Sequence, residues 1–131
     1  MLITITICTI LICFGIIMCY LTHELSHYFI AKLVGAKNVN INLWPHEYNG
    51  ISYQGSVSCS NLGEYRSLFY GAPLIKSIIL LIFWLMCGLF IWINFIVLIL
   101  PEIIDICIFI HGYFFGPEHV DGARFRKYLP L

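Results

Sequence analysis

Residues 2–33 read LITITICTILICFGIIMCYLTHELSHYFIAKL. From Leu2 to Thr22 the stretch carries no charge. About 20 such residues in a helix cover the ~30 Å of a bilayer's hydrocarbon core. The stretch therefore predicts a membrane-crossing helix, and with it the fold class. A secretory signal would need a basic leading region and a small-residue cleavage site, and neither is present. The helical pattern continues through His23–Leu33 and is expected to end near Gly35, a C-cap with Lys32 and Lys37 beside it.

The rest of the chain agrees with a membrane class. Its 131 residues are 60% hydrophobic and 11% charged, with zero net charge and a mean hydropathy of +0.90. A soluble domain is nearer to about half apolar and a quarter charged. There are too few polar side chains to coat a globule of this size. That excludes an ordinary soluble protein, a disordered chain and a nucleic-acid binder working through a basic surface. The expected surroundings are a lipid bilayer, with no nucleic-acid partner. Five of the six cysteines, Cys8, Cys13, Cys19, Cys87 and Cys107, lie in apolar runs, and with Cys59 they form no C-x-x-C pair. They read as small buried residues, not a disulfide framework.

A second apolar run extends from near Leu68 to Leu100, with Lys76 near its start. A third begins after Pro101 and reaches Phe115. The turn between them is expected within Ile93–Pro101. The predicted fold is a mainly α membrane protein of three transmembrane helices, with a small membrane-surface β-hairpin in the first cytoplasmic loop. A single unit spans 1–131: the first helix in 1–35, a strand-forming loop in 36–66, the second span in 67–100 and the third span with its basic C-terminus in 101–131.

All seven basic residues fall on one side of that arrangement: Lys32, Lys37, Arg66 and Lys76 around the loop, and Arg124, Arg126 and Lys127 after the third span. By the positive-inside rule the N-terminus faces out, and the loop and C-terminus face the cytoplasm. Glu102 and Asp105 are then expected near the outer end of the third span, facing water or a partner. Within the loop, Val39, Ile41 and Leu43 alternate with Asn40 and Asn42, which is strand periodicity. The turn-rich Pro45–Gly50 follows, then Ile51, Tyr53 and Val57 as a second strand bent at Gly55.

The chemistry lies at the end of the first helix, in His23-Glu24-Leu25-Ser26-His27. In this H-E-x-x-H pattern residues i and i+4 share one helix face, so both imidazoles reach one metal ion. Glu24 stands beside them, placed to act as general base on a metal-activated water. Zinc suits imidazole and carboxylate donors with a position left for water. Such groups at the end of an apolar span are costly to bury and mark function. Asp121 is the best candidate for the third ligand, with His119 and His111 as rivals. Asp121, in Asp121-Gly122, follows the third run on the predicted side of His27. His119 is two residues away, and His111 reads as packed inside the span.

These features together resemble the site-2 protease family of intramembrane zinc metalloproteases. The resemblance rests on H-E-x-x-H in a membrane helix, a strand-forming cytoplasmic loop, Gly71-Ala72-Pro73 opening the next span and a late Asp121-Gly122. It covers almost the whole chain as that fold's bare three-helix core. It implies His23, His27 and Asp121 as zinc ligands and Glu24 as catalytic acid/base. It also implies a membrane-spanning protein substrate cut within or near the bilayer, as in regulated intramembrane proteolysis. Many members approach the Asp-Gly through an Asn-Pro-rich stretch, whereas Phe115–Val120 holds one Pro and no Asn. The extra helices and PDZ domain of many members have no counterpart here.

Hydrolysis within a membrane requires a polar cavity lined by irregular backbone, which Gly116, Pro117 and Gly122 around Asp121 would supply. A substrate helix must unwind to be cut. The strand edge Ile51–Val57, with Ile51, Tyr53 and Val57, is expected to pair with it. Alternatively the hairpin anchors to headgroups through Trp44, Tyr48 and Tyr53. A second copy of the chain is one way to enclose the cavity. Two other functions fit the same residues: a catalytically silent module that binds a membrane helix, and a metal-binding membrane subunit.

Overall fold

The computed structural model describes residues 2–88 and 96–130. It is mainly helical, at 70%. Helix α1 spans Leu2–Leu33 and is followed by four short strands: β1 (Lys37–Asn42), β2 (His46–Tyr48), β3 (Ile51–Tyr53) and β4 (Ser56–Ser60). A 3-10 turn over Gly63–Tyr65 leads into α2 (Arg66–Gly88). Then come α3 (Ile96–Phe115) and the short α4 (Asp121–Tyr128). Three segments, Leu2–Leu33, Gly63–Cys87 and Leu98–Phe115, are long and apolar enough to cross a membrane.

The three long helices pack on one another, and α4 folds back onto α2 and α3. α1 exposes isoleucines between Leu2 and Met18, among them Ile3, Ile5, Ile10 and Ile16. So dense an exposed apolar surface is compatible with a lipid environment. α1 ends as expected. Gly35 adopts φ +72°, its N–H donates to Lys32 O (3.1 Å), and Ala36 N–H donates to Ala31 O (2.9 Å). That pair of bonds is a Schellman cap, which a residue with a Cβ would strain.

The predicted hairpin is present, but as two ladders. β1 pairs antiparallel with β4, Ile41 opposite Val57. β2 pairs antiparallel with β3, His46 opposite Tyr53. The tip is Asn49-Gly50, both at positive φ (51° and 75°), the backbone of a tight primed turn. Between the ladders the Tyr20 hydroxyl reaches in from α1. It lies 2.9 Å from Leu43 O and 2.8 Å from Gln54 O, able to donate to either. Those carbonyls turn to Tyr20 instead of to each other's strand, so the expected strand Ile51–Val57 is broken at Gln54-Gly55. The β1–β4 ladder packs through Val39, Val57 and Cys59 on a core of Ala31, Leu62 and Phe69.

Two further expectations are corrected. Part of the expected turn over Ile93–Pro101, residues 93–95, lies outside the described residues. The remainder is helix: Pro101 sits inside α3, not before it. Its ring is tolerated at the cost of one early hydrogen bond. Lys76, Glu102 and Asp105 do not sit at span ends facing water. Lys76 lies mid-helix in α2, its ammonium 2.9 Å from Glu102 Oε2 and 3.0 Å from Asp105 Oδ2. Glu102 is only 3% exposed, so the pair neutralises itself inside the bundle.

Candidate metal centre

His23 and His27 stand one turn apart on α1, and both turn towards α4. Nε2 of each lies 3.2 Å from one oxygen, Oδ2 of Asp121. The three candidate ligand atoms lie within 4.8 Å of one another. Zinc ligands at about 2.1 Å and tetrahedral angles sit about 3.4 Å apart, so this donor set fits one such ion.

Each imidazole is held from behind. His27 is 5% exposed, and its Nδ1–H donates to Phe69 O at 2.8 Å. That leaves Nε2 to face the cluster. Phe69 O is available because of Pro73. In an α-helix the carbonyl of residue 69 would accept from the N–H of residue 73, and proline has none. Pro73 lies inside α2 and is fully buried. The missing helix bond is thus replaced by a bond from a candidate metal ligand. His23 Nδ1 faces a carboxylate instead, with Asp105 Oδ1 at 3.2 Å and Oδ2 at 3.3 Å.

Asp121 reaches the cluster because the chain breaks after α3. Gly116 N–H closes α3 on Gly112 O (3.0 Å), and a turn from Val120 N–H to Pro117 O (3.1 Å) follows. Val120 is extended (φ −89°, ψ 150°) and Asp121 opens α4. The backbone of Gly122 then lies flat on α3. A Cβ there would collide with Phe109 O and Tyr113 N. Only glycine allows α4 this close, and the close approach brings Asp121 to α1. Burial pushes the Asp121 carboxyl up, but the His27 and His23 imidazoles outweigh it and hold it below the usual carboxylate range.

The cluster opens on a cavity of about 350 Å³ lined by His23, Glu24, His27 and Asp121. Glu24 is 8% exposed, and its carboxylate has no hydrogen bond to a described residue. Among the described residues, no fully buried side-chain polar atom lacks a partner. The Glu24 oxygens are therefore open to the cavity. Gly55 lies against Glu24 and Tyr20, which brings the break between the ladders to the cavity rim.

The chain matches no family model, no curated protein and no solved structure.

Of the predicted site residues, His23, Glu24, His27 and Asp121 come together. Tyr53 and Val57 line the same cavity, while Ile51 is not among its lining residues. His119 lines the cavity but stands outside the ligand cluster. His111 is not packed inside the bundle. It is exposed on α3 against Phe115, because the buried face of α3 there is taken by Gly112 and Phe109. Sequence reasoning missed the supports: the Phe69 carbonyl, Asp105, Lys76, Ser77 and Tyr20. Pro73, four residues after Phe69, was a readable signal for one of them.

Proposed function

We propose that this chain is an intramembrane zinc endopeptidase of the kind the site-2 protease resemblance implies. Its substrate is a membrane-spanning protein. The observation that carries the proposal is the meeting of His23, His27 and Asp121 at the end of an apolar helix, with the free Glu24 carboxylate on the same cavity.

α1 supports a placement at the membrane boundary. About 20 residues fill the hydrocarbon core, so a span beginning at Leu2 reaches the interface near His23. In this reading the N-terminus is outside. The cytoplasmic end holds the two ladders, α4 and the charges of Lys32, Lys37, Arg66, Arg124, Arg126 and Lys127. Lys76 drops out of that count because its charge is neutralised within the bundle. The ladders then lie at the membrane surface.

His23, His27 and Asp121 would hold a zinc ion, which would supply Lewis acidity towards the scissile carbonyl and a water. Glu24 takes the proton of the attacking water and returns it to the leaving amine. Tyr53 and Val57 lie along the cavity wall, where the backbone beside them offers an edge to an unwound substrate segment.

The test uses the full chain in bicelles with a quenched peptide containing one apolar helix. Cleavage that stops with a zinc chelator and returns on adding zinc is expected. Zinc-loaded, folded protein that cleaves none of a panel of such peptides leaves the silent helix-binding module or metal-binding subunit as the better reading.

A further inference from the structure

Glu102 is buried and Lys76 and Asp105 half-buried between the long helices, and the proposed hydrolysis uses none of them. Charged groups inside apolar spans are costly and persist only with partners. The Lys76 ammonium has three protons and three acceptors: Glu102 Oε2 at 2.9 Å, Asp105 Oδ2 at 3.0 Å and Cys19 Sγ at 3.6 Å. One carboxylate would neutralise it. Glu102, the more buried of the two, already does so.

The second carboxylate, Asp105, faces two ways. Its Oδ2 accepts from Lys76 and from Ser77 Oγ at 2.8 Å. Its Oδ1 lies 3.2 Å from His23 Nδ1. A carboxylate only accepts, so the His23 nitrogen facing it is the donor and Nε2 is turned to the cluster.

We propose that Asp105, held in place by Lys76 and Ser77, is a positioning residue that aims His23 Nε2 at the metal. This rests on the metallopeptidase reading and adds a role for residues on α2 and α3. The bond fixes the ring's rotation and tautomer and makes its far nitrogen a better ligand. The packing of α1, α2 and α3 is thereby transmitted to one metal ligand. His27 is held by a neutral carbonyl, so the two imidazoles differ in donor strength.

Asp105→Asn is nearly isosteric, yet neither amide orientation restores the chain. With the amide nitrogen at the Oδ1 position, two donors face each other across His23 Nδ1. At the Oδ2 position, the amide meets the Lys76 ammonium, which can only donate. Ser77→Ala is milder, because it removes one neutral donor from Asp105 and no charge.

Zinc affinity of the detergent-purified full chain is measured against a competing chelator for the wild type, Asp105→Asn and Ser77→Ala. About a 10–100-fold loss is expected in Asp105→Asn. A several-fold loss is expected in Ser77→Ala, with its unfolding temperature near the wild type. Should Asp105→Asn fail to fold, Ser77→Ala carries the test. The second readout needs no metal: a downfield, exchange-protected ring N–H proton of His23 Nδ1 in histidine-¹⁵N-labelled protein, which Asp105→Asn should abolish. Folded variants that bind zinc within twofold of wild type overturn the proposal, as does a wild type without that resonance. A wild type that shows the resonance but binds no zinc contradicts the peptidase reading and leaves the hydrogen bond standing.

Discussion

Asp121 places its Oδ2 3.2 Å from His23 Nε2 across 98 residues of sequence. The same oxygen is 3.2 Å from His27 Nε2. One carboxylate at the start of α4 thus joins two imidazoles on α1. The contact depends on a chain break after Phe115 and on the backbone of Gly122 lying against α3. It brings together the first and last structural elements.

Glu24→Gln keeps the shape of the side chain and removes its basicity. Glu24 is not among the clustered ligand atoms, so zinc content should stay at the wild-type level. Peptide cleavage should fall by about 10²–10⁴-fold, the range for loss of a general acid–base group. Single-turnover cleavage by zinc-loaded protein is the readout. A metal carrier using the same histidines would be little changed.

Pro73→Ala supplies an N–H that competes with His27 for Phe69 O. Alanine is the better helix former by about 3 kcal/mol, so the unfolding temperature should not drop. Zinc affinity should fall by about tenfold, the lower end for an outer-sphere change, because a carbonyl has a second lone pair. Unchanged affinity in chelator competition would show that the freed carbonyl does not matter.

These cases show which features were legible in the sequence. The His23–His27 pair was readable because helical spacing alone puts i and i+4 on one face. Gly35 was readable because a C-cap is a local signal. Lys76 misled because a lone charge in an apolar run looks the same at a span end as in a buried ion pair. Its partners, Glu102 and Asp105, are 26 and 29 residues away. Pro101 read as punctuation, although a proline early in a helix breaks only one bond. The interruption of the second strand at Gln54-Gly55 follows from Tyr20, more than 30 residues earlier, and no local pattern reports it. Asp121 was preferred to His119 for its place after the third run and the glycine beside it, but which of them faces α1 depends on how α4 packs, and no local pattern reports that.

Gly122→Ala places a methyl group against Phe109 O and Tyr113 N. Overpacking of this kind costs about 1–3 kcal/mol. Because α4 carries Asp121, zinc should be lost together with that stability. Thermal unfolding and metal content on the same sample provide the check. Normal values for both would contradict the close packing of α4 on α3.

Tyr20→Phe removes the hydroxyl that can donate to Leu43 O or Gln54 O. The loss should be about 0.5–1.5 kcal/mol, and local to the break between the ladders. Hydrogen exchange should rise within residues 43–55 while α2 and α3 keep their protection. Exchange that is unchanged there would mean the hydroxyl does not anchor the strands to α1.

The most direct measurement is the zinc content of the detergent-purified chain, beside His23→Ala and Asp121→Ala. The account predicts about one zinc per wild-type chain, lost or strongly weakened in both variants while their helix content is kept. A wild type that takes up no zinc when it is offered, or an Asp121→Ala variant that holds zinc as tightly as the wild type, would contradict it.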